Sequence, residues 1–160
     1  MRSIGFLVFA AVLALAGCGG SGGGGDEQRL TAAEFRTQAD AICAETQTKL
    51  NAIEDPGVDP STADLAEFGK LAAALEKVAD LNRDQAKALE ALVPPAAFED
   101  VFDESMALLD EGVASLDDAA KAAKRGDQNA LTRSMAAAGA KAAAANQGAA
   151  RLGLKACGGG

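Results

Sequence analysis

The chain has 160 residues, 15 basic and 23 acidic side chains, a net charge of −8, and no histidine, tryptophan or tyrosine. An acidic chain without a basic patch argues against nucleic acid as a partner and against electrostatic docking on anionic lipid. The absence of histidine removes Ser-His-Asp and Cys-His catalysis and the Glu-x-x-His pattern of di-iron bundles, so the sequence reads as non-catalytic, with no metal and no cofactor.

The chain opens with one positive charge, Arg2, ahead of an apolar run from Ile4 to Ala16. That run is too short to span a bilayer as a helix, which takes roughly 20 residues. A charged start, a short apolar stretch and small residues at its end form a secretory signal. The end reads Leu15-Ala16-Gly17-Cys18, which resembles the lipobox of bacterial lipoproteins. The resemblance implies that the Cys18 thiol takes a diacylglycerol and that a dedicated peptidase, recognising Leu15, Ala16 and Gly17, cuts before it. A thiolate is the soft nucleophile such a step needs, and two or more acyl chains give lasting attachment. The expected location is the cell membrane, lipid-anchored and facing outside the cytoplasm. Loss of Arg2 with the signal leaves 14 basic against 23 acidic residues, a net −9.

Gly19 to Gly25 is glycine but for Ser21. Seven such residues form a flexible spacer of roughly 15 Å. The expected organisation is a signal peptide at 1–17, a lipidated cysteine and linker at 18–29, a helical domain at 30–157 and a disordered tail at 158–160.

Four helices follow. The first starts at Thr31, whose Thr31-Ala32-Ala33-Glu34 is a capping-box sequence. Phe35, Ala39, Ile42, Thr46, Leu50 and Ile53 fall on one face, and Asp55-Pro56-Gly57 ends the helix. Ser61 is the expected cap of the second helix, with Asp64 in its first turn. Leu65, Phe68, Leu71, Leu75, Val78, Leu89 and Leu92 form its stripe, and Pro94-Pro95 stops it. Asn82 and Gln85 interrupt that stripe. The favoured reading is that this face turns to solvent there; the alternative is a polar pocket between helices.

The third helix is expected from Ala96 to Arg125, buried through Phe98, Val101, Phe102, Leu108, Leu109, Val113 and Leu116. Gly126 stops it and Asp127 caps the next. In the fourth helix Leu131, Met135, Ala138, Ala142, Ala145, Ala149 and Leu152 alternate spacings of 4 and 3, a heptad seam. Its alanine centre predicts a close helix approach, near 8 Å, and tight closure of the core. Gly153 ends the helix, with Leu154 as the apolar partner of the stop. Short links between long amphipathic helices predict an all-α, antiparallel up-down four-helix bundle, with a long two- or three-helix coil as the alternative.

Assigning Cys18 to lipid leaves Cys43 and Cys157. An even pair in an exported domain points to a disulfide rather than free thiols or metal ligands. Cys43 lies about 12 residues into the first helix, near 18 Å along its axis. The segment Leu154 to Cys157 would then have to fold back along that helix. The lipobox, Phe35 with Ala41-Ile42-Cys43, a mid-chain Leu92-Val93-Pro94-Pro95 and a terminal Leu152-Gly153-Leu154-Lys155-Ala156-Cys157 together resemble a group of small, uncharacterised, alanine-rich helical lipoproteins of high-GC Gram-positive bacteria. The resemblance covers most of the mature chain. It too implies a paired Cys43 and Cys157, and it implies no activity.

Asp103, Asp110 and Asp117 repeat every seven residues on the third helix, as do Glu104, Glu111 and Asp118. These form two acidic ridges. A solvated face is the favoured reading, over cation binding or docking to a basic partner, because calcium sites need 6–8 converging oxygens. Met106 and Met135 are expected in the core. The functional expectation is a monomeric, non-catalytic lipoprotein that binds an envelope protein or a cell-wall component. The alternative is a small-ligand carrier or sensor with a pocket between helices, roughly 300 Å³ or more.

Overall fold

Thr31 opens the first helix as its sequence predicts. Its side chain receives the backbone N–H of Glu34, and its own N–H and hydroxyl donate to the Glu34 carboxylate at 2.9 and 2.7 Å. The structure, a computed structural model, describes residues 29–59 and 62–158. Leu15, Ala16, Gly17 and Cys18 lie outside the described residues, as does Ser61. Among the described residues there are four α-helices and no strand: α1 (Ala32–Asn51), α2 (Leu65–Glu90), α3 (Glu99–Lys124) and α4 (Gln128–Arg151).

Three boundaries differ from expectation. The cap of α2 is Asp64, whose side chain takes the Glu67 N–H while Glu67 reaches back. α1 stops at Asn51, so Ile53 sits beyond the helix; Pro56 bars the residue before it from helical geometry. The third helix starts with a tight 3-10 turn, Ala96–Phe98, before α3 proper. The later stops are as predicted. Gly126 and Gly153 both take positive φ, 65° and 78°, and each lets the following N–H reach back to a helix carbonyl. Only glycine adopts that geometry freely. Asp127 caps α4 by accepting the Ala130 N–H.

Each helix packs on its neighbour in the chain, α1 on α2, α2 on α3 and α3 on α4. Ion pairs set the register. Arg83 meets Asp117 and Lys124 meets Glu76; Arg151 meets Glu104 and Lys141 meets Glu111. In each pair of helices the partners climb one helix as they descend the other, so α2 with α3, and α3 with α4, run antiparallel. No Cα of α1 comes within 8 Å of a Cα of α4.

The core falls into two clusters. Near the disulfide, Phe35 stacks edge-to-face on Phe98 and Phe102, with centroids 5.8 and 5.4 Å apart. Leu89, Met106, Leu152 and Leu154 pack with them. At the other end Phe68, Leu75 and Leu131 close over a floor of Ala119, Ala120, Ala122 and Ala123. These alanines are buried because α3 is central, with α2 on one side and α4 on the other. Gly148 marks the tightest crossing. A Cβ there would stand 2.0 Å from the Ser105 hydroxyl.

Candidate functional site

The structure joins the two cysteines. Cys43 and Cys157 are disulfide-bonded, with Cα atoms 5.2 Å apart across 114 residues. The end of the chain folds back along α1 to make the bond. Arg36 donates to the Leu152 carbonyl at 2.7 Å, and one oxygen of Asp40 accepts the N–H groups of Lys155 and Ala156, both at 2.8 Å. The start of the domain is pinned nearby. Arg29 donates to the Pro94 carbonyl and pairs with Glu99, and the Leu30 N–H bonds to Val93. Arg29 and Leu30 are therefore held at the α2–α3 corner.

The acidic ridges of α3 are largely structural. Asp117 meets Arg83 of α2, Glu104 and Glu111 meet Arg151 and Lys141 of α4, and Asp118 meets Lys121 one turn on. Three of the six ridge carboxylates thus pair across helices, Asp118 pairs within α3, and Asp103 and Asp110 stay exposed, as a solvated face requires. Asp117 also holds the Arg83 guanidinium in its charged form. Among the described residues no three carboxylate or thiol side chains converge as a metal site requires.

The two core clusters do not meet. Between them a groove runs over α3 with α2 and α4 as its walls; toward the disulfide it opens between α1 and α4, and it is called the α1–α4 cleft for that end. Its apolar half has a volume of about 280 Å³ and is lined by Val78 and Asn82 of α2, Leu108, Leu109, Gly112, Val113 and Leu116 of α3, and Met135, Ala138, Gly139 and Ala142 of α4. Toward the disulfide it continues into a second hollow of about 200 Å³. That part is bordered by Cys43, Gln47, Leu50, Gln85, Ala145, Asn146, Ala156 and Cys157. Asn82, Leu109 and Ala142 belong to both halves.

No charged side chain lines either half. The polar groups are carboxamides. Asn82 donates to the Val78 carbonyl at 2.8 Å, and Gln85 lies 3.6 Å from the Cys43 sulfur. Both are half-buried and border the hollow, so the α2 stripe is partly packed and partly open to solvent there. Met135 corrects the sequence as well. It was expected in the core, yet it is 41% exposed at the cleft mouth, while Met106 is buried. Ala142 is exposed and Ala145 half-buried. The heptad seam packs on α3, but these members face the cleft because α1 does not reach them. Tight closure is therefore overturned at mid-height. Nothing in the period of α4 could have shown this, since a period reports which face is apolar and not what covers it.

A larger hollow, about 650 Å³, lies at the α1–α2 link. It is bordered by Lys49, Glu54, Asp55, Lys70 and Lys77, charges of both signs, and lacks a defined apolar wall. Ligand pockets are mainly apolar with a few convergent polar groups, and the α1–α4 cleft fits that description better. No protein family, no curated protein and no solved structure matches the chain. Among the described residues no helix is long and apolar enough to cross a membrane.

Proposed function

We propose that this chain is a lipid-anchored extracytoplasmic lipoprotein that acts by binding, not by catalysis, and that the α1–α4 cleft is its binding face. The helices then form an antiparallel up-down bundle, open along one seam. Cys18 carries the diacylglycerol after the leader, with Leu15, Ala16 and Gly17 guiding cleavage, and the domain works as a monomer. The observation that carries this reading is a groove of about 280 Å³ lined by no charged side chain, with Met135 exposed at its edge. Its partner is an envelope protein or a cell-wall component offering an apolar group.

A small-ligand carrier is the second reading, which the groove's apolar lining favours more than its volume. About 280 Å³ lies at the lower edge of ligand pockets, roughly 300–1,000 Å³.

Two experiments test the main reading. Cys18→Ser should leave the membrane fraction and retain its leader; a variant that is processed and membrane-bound as before would refute the anchor. A photo-crosslinking residue in place of Met135 should capture a defined adduct in intact cells. The same residue at exposed Ala136, just outside the cleft lining, should not. Equal adducts from both positions would refute the cleft as binding face.

A further inference from the structure

We infer that the α2–α3 corner, with Val93 at its tip, rests on the surface of the lipid bilayer. This rests on the reading of Cys18 as the lipid anchor and adds which part of the domain meets the membrane.

Residues 91–98 read Ala-Leu-Val-Pro-Pro-Ala-Ala-Phe, without a charged or hydrogen-bonding side chain. The two prolines end α2 and turn the chain, so the run forms a corner between helices. Val93 is 41% exposed, and Ala91, Ala96 and Ala97 are exposed with it. The charges around the run are Glu90, Glu99, Asp100, Arg29 and Arg36. Arg29 pairs with Glu99, and Arg36 lies over the Phe98 ring. No cationic patch is offered, so the contact is apolar and shallow and does not call on anionic lipid.

The length of chain before the domain decides which end faces the bilayer. Arg29 donates to the Pro94 carbonyl and the Leu30 N–H donates to the Val93 carbonyl, both at 3.0 Å. Both bonds are made to the corner itself. Cys18 lies 11 residues before Arg29. Whatever path those residues take, 11 steps span at most about 36–40 Å, so the corner stays within that distance of the lipid.

The competing apolar residue is Leu65, 68% exposed at the start of α2. α2 has 26 residues, which puts Leu65 about 38 Å from the corner at 1.5 Å per residue. Setting Leu65 on the bilayer with the corner above it would stretch the 11 residues along the bundle to nearly their full length. A chain so extended keeps almost none of its conformational freedom. With the corner down, no such stretch is demanded.

This orientation also suits the groove. α4 ends at the same end of the bundle, where Arg36 donates to the Leu152 carbonyl. Met135 lies 16 residues before Arg151, about 24 Å along α4. The groove edge then stands clear of the headgroups, open to an envelope partner.

The chain contains no tryptophan, so Val93→Trp and Leu65→Trp each supply a single reporter at an exposed site, with the same ring and the same preference for an interface. Ala97→Trp is a second reporter on the corner. The lipidated full chain carrying one change at a time is placed in phosphatidylcholine vesicles with and without bromine on the upper acyl chain. Flotation measures the bound fraction, and circular dichroism checks the fold. Emission from Val93→Trp and Ala97→Trp should fall at least about twofold in brominated vesicles, as an interfacial depth of about 5–10 Å requires. Emission from Leu65→Trp should be unchanged. The inference is overturned if neither corner reporter is quenched, or if Leu65→Trp is quenched equally. A chain that floats with the vesicles yet keeps both corner reporters bright defeats the inference alone; a chain that does not float defeats the anchor reading and the inference with it.

Discussion

Replacing Cys43 and Cys157 together by alanine is expected to cost about 4–5 kcal/mol of folding stability. The bond closes a loop across 114 residues, and the chain-entropy relation gives about 4.7 kcal/mol for a loop of 100. Little is lost directly from the folded state. Cys43 is 4% exposed beside Phe35, but alanine removes a single heavy atom there. The fold-back keeps its bonds to Arg36 and Asp40. With an unfolding entropy of about 2.1 cal/mol/K per residue over about 130 residues, the change corresponds to about 15–18 °C in Tm. Urea unfolding followed by circular dichroism, on the unlipidated mature chain, measures it. The double variant leaves no free thiol in the domain to confuse the comparison. A loss below about 1 kcal/mol would refute the argument, since it would mean that the unfolded chain gains no freedom when the link is cut.

Two further tests address the fold. Gly148→Ala should destabilise by about 1–3 kcal/mol, despite a gain of about 1 in helix propensity, because the new methyl group meets the Ser105 hydroxyl. In a Ser105→Ala background most of that loss should vanish; a Gly148→Ala protein as stable as wild type would show that α3 and α4 can part without cost. Glu34 gives a pH dependence. The Thr31 hydroxyl, and after it the Thr31 backbone N–H, hold its carboxyl below the ordinary range. Stability from the capping box is therefore present above the unfolded carboxyl's value, about 4.3, and is lost as pH falls through the lower folded value. The Tm gap between wild type and Glu34→Gln, present at about pH 6, should close by about pH 2; a constant gap would refute the assignment.

The helix ends were legible because their chemistry is local. Thr31 with Glu34, Asp127, Gly126 and Gly153 each act within five residues of themselves. The cap of α2 was ambiguous in sequence: Asp64 has Glu67 three residues on, and Ser61 has Asp64 three residues on, but glutamate is the longer side chain and reaches back to the cap. The disulfide followed from counting cysteines in a chain whose leader reads as an export signal. Contacts between distant segments were not legible. The α3 ridges have the right period, but their partners, Arg83, Lys141 and Arg151, lie between 30 and 47 residues away. The alanine floor at 119–123 was missed because alanine suits either face of a helix and signals no burial. Met135 was placed in the core because a heptad seam was taken to have a neighbour along its whole length.

The cleft stays open for a reason that magnitudes decide. Closing it would press Ala142 and Ala145 of α4 toward α1 and α2, gaining about 0.8 kcal/mol for each methyl group removed from water. The same movement would bury the carboxamides of Asn82, Gln85 and Asn146. A buried polar group left unpaired costs about 1–3 kcal/mol, and alanine offers it nothing. These losses oppose closure, against an apolar gain to which Val78, Leu108 and Met135 also contribute. At the disulfide end the balance reverses, because Phe35, Phe102, Leu152 and Leu154 bring large apolar side chains that outweigh the bordering Gln85 and Asn146. The covalent bond and the Asp40 contacts hold that end shut. Asn82→Leu with Gln85→Leu should tip the balance the other way: the double variant should be more stable than wild type. A less stable double variant would show that the carboxamides support the fold rather than keep the seam apart.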